Sequence, residues 1–257
     1  MGAQSSEFEI FEETIADAFW LLKTAQALSN HRSQRLRTER RVSLAVALNL
    51  PKMVKNEIDA IESDDLFIVI KPGSRLDRNH VKDLGVLYRQ AIVAASAAVE
   101  TYVAESTLRR AVKILRSKQE PPKRLGDLKL SLNEWWHIEN YERRGTGIRE
   151  VVLKRVIPEY ASPSADRVGK MLSMVGVDSW AQKVDRIRNV RGGTSVLQLD
   201  ELAHRRNRIA HTGDRVGRKR TSISFETARD LVANAEQIVI AIDKILKEID
   251  NGFGEKT

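Results

Sequence analysis

Between Ala91 and Ala104 the only polar residues are Ser96, Glu100 and Thr101. This stretch lies inside a longer helical pattern, Val81 to Arg116, which Pro121-Pro122 ends. A helix that is apolar nearly all round is buried on most of its sides. Its most apolar part, Ala91 to Val99, is far short of the roughly 20 residues that span a bilayer, so other helices of the chain must enclose it. Glu100 then points into protein, where an ionised carboxylate needs a cation or a donor.

Candidate enclosing elements follow from helical spacing. Phe8, Phe11, Ile15, Ala18, Phe19 and Leu22 form a stripe within Glu7 to Leu28. A second helix is expected over Leu36 to Leu48, and a third runs from Pro51, well placed in a first turn, to about Ile61. Leu66 to Ile70 reads as a short strand-like run ended by Pro72-Gly73, the best boundary in the chain. Residues 1–75 are therefore expected to form a helical extension, and residues 76–257 the main helical domain.

Residues 125–191 read as shorter helices interrupted at Gly145, Pro158 and Pro163. The pair Trp135-Trp136 reads as packing rather than as a base-stacking platform. Ser195 with Gln198 forms a capping box for a helix that Gly213 stops after His211. Ser224 caps the last helix, whose apolar face holds Phe225, Ala228, Leu231, Val232, Ala235, Ile238, Val239, Ile242, Ile245, Leu246 and Ile249. That helix is expected to pack antiparallel on the preceding one. At most a marginal hairpin is expected, and the fold class is all-α.

The net charge of +8 is concentrated. From Lys183 to Arg220 eleven Lys and Arg stand against four Asp and Glu, nearly the whole excess. A second basic run, His31 to Arg41, is offset by acids on both sides. Nine of the eleven are arginines, whose forked donors suit phosphate oxygens. Two readings are open: a polyanion-binding surface with steep salt dependence, or a solvated helix face. Absent cysteine excludes disulfides, thiol catalysis and thiolate metal sites, and makes the cytoplasm the expected compartment. Five acids and no base precede Phe19, the reverse of a secretory leader. Met1-Gly2 with Ser6 fits the form of a myristoylation signal but lacks a basic flank.

One arginine breaks a pattern. In the helix Ser195 to His211, stepping 196, 199, 203, 206 and 210 follows the apolar stripe, and position 206 is arginine. Either Arg206 snorkels to water from the stripe edge, or it pairs with Glu100, the obvious partner on the other apolar helix. On the adjoining face lie Asp200, His204, Asn207 and His211. Asp200 and His204 have an i,i+4 ligand spacing, but His211 lies roughly 10 Å along the axis from His204, a poor metal set. Neither a metal nor a cofactor is expected.

Arg206-Asn207-Arg208-Ile209-Ala210-His211 resembles the R-N-x-x-x-H form of the R-x4-6-H motif of HEPN domains. Those are all-α ribonuclease folds found in bacterial toxin–antitoxin, abortive-infection and phage-defence systems. The setting is similar too. A penultimate helix carries the motif, a long amphipathic helix follows it, and Glu100 within Ala97 to Tyr102 matches the polar residue that supports the motif arginine. The resemblance covers about Asp83 to Asp250. HEPN toxins paired with nucleotidyltransferase antitoxins carry a modified tyrosine two residues after the histidine. Gly213 stands there, so that mode of regulation lacks its residue.

The resemblance implies a metal-independent endoribonuclease that cleaves single-stranded or loop RNA, such as tRNA, through the RNA's own 2′-hydroxyl. His211 would move the proton, Arg206 would stabilise the scissile phosphate with Glu100 positioning it, and Asn207 would orient His211 or bind phosphate. Arg205, Arg208, Arg215, Arg218, Lys219 and Arg220 would bind the RNA backbone. One histidine cannot act as base and acid together, so the resemblance implies a homodimer with a composite site. His204 is the in-chain candidate for the second role. An antitoxin or other defence partner fits the same context, and no membrane does. The alternatives are a non-catalytic RNA-binding helical adaptor and a protein-interaction module.

Overall fold

A computed structural model describes residues 6–32, 84–117, 120–141, 147 and 153–254. Among these, nine helices and one small hairpin follow in order. They are α1 (Ser6–Arg32), α2 (Gly85–Arg116), α3 (Lys123–Gly126), α4 (Leu132–Glu139), α5 (Lys154–Tyr160), α6 (Ala165–Met174), α7 (Trp180–Arg188) and α8 (Thr194–Thr212), then strands β1 (Arg215–Val216) and β2 (Lys219–Arg220), then α9 (Phe225–Gly254). The fold is all-α. The expected helices at 36–48 and 51–61, the strand at 66–70 and the break at Gly145 lie outside the described residues.

Helix α2 is the axis of the bundle. It packs against α1, α5, α6, α8 and α9, and Ala91, Ile92, Ala95, Ser96, Ala98, Val99, Tyr102 and Val103 are buried. The stripe of α1 closes on it: Phe8, Phe11, Ile15, Ala18, Leu22 and Ala25 are buried and join the same apolar core. The rings of Phe8 and Phe11 lie 6.0 and 5.7 Å from that of Tyr102. Each such side chain contributes about 1.5–3 kcal/mol when fully buried. The Tyr102 hydroxyl donates to Asp243 on α9 at 2.9 Å. Burial, then the Asp243 charge, push its pKa well up. The apolar face of α9 is as expected, with Ala228, Val232, Ile238, Val239 and Ile242 fully enclosed. The Thr227 N–H donates to Ser224 Oγ at 3.1 Å, the expected cap.

Three local expectations are corrected. Pro158 lies inside α5 rather than interrupting it. The carbonyl left without an N–H partner by a proline is four residues back, here that of Lys154 at the helix start, so α5 forgoes only one bond of its first turn. Trp135 and Trp136 are more than half exposed (52% and 58%), not packed. Helix α4 turns only Ile138 inward. Ser195 and Gln198 form no capping box. Both accept from the Arg188 guanidinium instead, at 2.7 and 2.8 Å.

The start of α8 is capped from another helix. Asp185 of α7 accepts the N–H groups of Gly193 at 2.7 Å and Ser195 at 2.9 Å. Burial pushes the Asp185 carboxyl up, but these bonds, the Ser195 hydroxyl and Arg188 outweigh it and hold the pKa below its usual value. A real capping box sits elsewhere, where Ser131 and Glu134 exchange bonds at the start of α4.

Candidate functional site

The site grows from the C-terminal half of α8, which lies against α2. Arg206 leaves the apolar stripe of α8 and reaches Glu100 across the interface, with Nη2 at 2.9 Å from Oε1 and 3.1 Å from Oε2. It pairs rather than snorkels, although a third of its side chain remains open to solvent. Nη1 donates to Asn207 Oδ1 at 3.1 Å. The guanidinium is thus held from two sides, with part of it facing outward. Burial pushes the Glu100 pKa up, and the Arg206 charge and hydrogen bond pull it back only in part. Taking a carboxylate out of water is tolerable only with such a partner.

His211 is exposed on the last turn of α8, and Gly213 ends the helix at φ 60°. Asn207 is also exposed, one turn before His211. At about 100° per residue, His211 sits roughly 140° around the helix from Arg206 but only about 40° from Asn207. A single copy of α8 therefore points its guanidinium and its imidazole in different directions. His204 is exposed too. Asp200 serves another purpose, since its Oδ1 accepts the Ala165 N–H at 2.9 Å and starts α6. Among the described residues no three His, Asp or Glu side chains are grouped to hold a metal ion.

The six other arginines and lysines expected to line the approach fall into two sets. Arg215, Arg218, Lys219 and Arg220 are exposed on the hairpin, where Arg215 pairs with Arg220 and Val216 with Lys219. Arg205 and Arg208 turn inward to Asp214, which is completely buried. Arg89 of α2 joins them at 3.0 Å. Sequence reasoning missed both Arg89 and Asp214. The signal for Asp214 was its place as the one acid between Gly213 and the basic hairpin. Arg89 gave none, because one cation among the polar positions at the start of a helix is ordinary.

A groove of about 700 Å³ opens between α1 and α9, with Phe11, Ile15 and Trp20 on its walls. Its ionisable lining is mostly acidic: Glu12, Asp17 and Glu236 against Lys23. Burial and then the Glu12 charge push Glu236 up. That groove is rich in carboxylates, whereas the exposed cations are concentrated just past the C-terminal end of α8. No helix among the described residues is long and apolar enough to cross a membrane.

A family model described as RiboL-PSP-HEPN matches residues 54–248. Comparison with curated proteins gives no match, and comparison with solved structures gives none.

Proposed function

The chain belongs to the RiboL-PSP-HEPN family, and on that premise we propose that it is a metal-independent endoribonuclease acting on single-stranded or loop RNA. Family membership points to a nuclease or RNA-related role. The finer reading is carried by one observation: Arg206, gripped by Glu100 and Asn207, lies five residues before an exposed His211.

The reaction uses the RNA's own nucleophile. A neutral imidazole takes the proton of the 2′-hydroxyl, and the 2′-oxygen forms a bond to phosphorus. The bond from phosphorus to the 5′-oxygen breaks, and that oxygen takes a proton from an imidazolium. The products are a 2′,3′-cyclic phosphate and a 5′-hydroxyl. Arg206 stabilises the charge that grows on the non-bridging phosphate oxygens, an effect that a preorganised donor supplies without reorganising in the transition state. Base and acid cannot be the same histidine in one step. Two copies of α8 facing one cleft supply two, and the divergence of Arg206 from His211 within one helix favours that arrangement. Flexible loops, such as those of tRNA, reach the in-line geometry more readily than duplex RNA. A toxin–antitoxin or phage-defence setting in the cytoplasm, with a partner protein that restrains the nuclease, belongs to the same reading.

The test is His211→Ala. Wild type in EDTA is expected to cut total RNA or tRNA to fragments with cyclic-phosphate ends, while the variant loses about 10²–10⁴-fold in rate and keeps its RNA affinity. Intact RNA with wild type at every protein concentration defeats the nuclease reading and leaves a non-catalytic RNA-binding adaptor.

A further inference from the structure

We propose that Asp214 is the positioning residue of the RNA-binding surface, holding the basic hairpin in place from beneath; this rests on the RNA-directed reading of the site above. Its carboxylate is completely buried and gathers three guanidinium groups from two helices. Oδ2 accepts from Arg89 Nε of α2 at 3.0 Å and from Arg205 Nη2 of α8 at 2.7 Å, and Arg208 Nη2 of α8 lies 3.3 Å from Oδ1.

Each of these arginines also reaches the chain just after β2. Arg89 Nη2 donates to the Thr221 carbonyl at 2.7 Å, Arg205 Nη2 to the Ser222 carbonyl at 3.3 Å, and Arg208 to the Thr221 hydroxyl. The Asp214 backbone repeats the connection. Its N–H donates to the Arg208 carbonyl at 3.0 Å, and its carbonyl accepts the Thr221 N–H at 2.8 Å. Both ends of the hairpin are thus tied to α8 and α2 through one residue.

Two features separate this cluster from an ordinary ion pair. Asp214 has φ 59°, a left-handed conformation that glycine adopts freely and aspartate only occasionally. Glycine would relieve it, yet glycine brings no carboxylate. Secondly, three cations face one anion, leaving a surplus of two positive charges beneath a surface that already carries Arg215, Arg218, Lys219 and Arg220. The hairpin has two residues per strand, and an isolated two-stranded ribbon is marginal in water. Its shape is therefore imposed from below, and with it the direction of its four exposed cations. The inner arginines hold the surface and the outer ones meet phosphate.

The sign of one substitution decides the matter. Asp214→Asn removes a negative charge, so charge alone predicts tighter RNA binding, whereas loss of positioning predicts weaker binding. Affinity is measured with a single-stranded RNA oligonucleotide across a salt series, in the His211→Ala background, where cleavage does not interfere. The expected result is about a tenfold rise in Kd, with a salt dependence reduced by about one released counterion or more. Arg89→Gln, buried and out of reach of RNA, is expected to weaken binding likewise. Asp214→Gly, which accepts the backbone conformation, serves if the asparagine variant does not fold. Unchanged or tighter binding by folded Asp214 variants overturns the proposal. So does a His211→Ala parent that binds no RNA. Failure of wild type to cut RNA bears on the nuclease reading alone.

Discussion

Arg206 is where residue-scale chemistry is most exposed to test. Its partner Glu100 is ionised against the preference of its surroundings, because burial raises its pKa above the ordinary 4.5 and Arg206 only partly reverses the shift. A raised carboxylate pKa means that ionisation costs folding stability as pH rises through the ordinary value. Glu100→Gln is therefore expected to leave thermal stability at neutral pH unchanged or slightly higher, since Arg206 can turn to water. Cleavage should nevertheless fall by about tenfold to a hundredfold, as the donor loses its fixed direction. The same shift sets a pH signature. As pH falls, Glu100 takes up its proton earlier than an ordinary glutamate and releases Arg206. This component of the acidic limb of the rate profile should be missing in Glu100→Gln. An identical limb in the variant removes Glu100 from the mechanism.

At the scale of the element, α8 depends on a cap it does not supply. Asp185 joins α7 to the first turn of α8 through two backbone bonds. Asp185→Ala should destabilise the protein by about 1–2 kcal/mol, measured by urea unfolding at neutral pH. The sign with pH is fixed by the depressed carboxyl. Its contribution is fully present above the ordinary value near 3.8 and is lost as pH falls through the lower folded value. The gap between wild type and variant should close only in strong acid, and a gap that closes near neutrality refutes the capping account. The contrast with Ser195 is instructive. The Ser-x-x-Gln spacing was legible, but Arg188 from the preceding helix competed for both side chains and won. The periodicity of α1, α2 and α9 was legible without such a rival, because a stripe of Phe, Ile, Leu and Ala in one phase can be satisfied only by burial.

For the whole molecule, the expected species in solution is a dimer. Arg206 and His211 diverge around α8, and one histidine cannot serve as base and acid in a single step. Light scattering on the purified protein is expected to give twice the chain mass, and a strict monomer at working concentrations removes the composite site. Charge is divided at this scale as well. Among the described residues, three acids and one lysine line the groove between α1 and α9, while the excess cations gather near the C-terminal end of α8.

The amino-acid sequence specifies the helical class, the buried faces of the major helices, the six-residue motif at Arg206 to His211 and the location of the positive charge. Those properties are local, since periodicity, composition and spacing are written along the chain. It also offered Glu100 as a partner for Arg206, but left snorkelling open. Tertiary structure alone decided that choice. It also separated the arginines that hold Asp214 from those that face solvent, and it brought in Arg89 from 125 residues away. Cations along the chain are nearly equivalent until folding sets their distances to a few buried carboxylates, and burial makes each such pairing an obligation that no local pattern reveals.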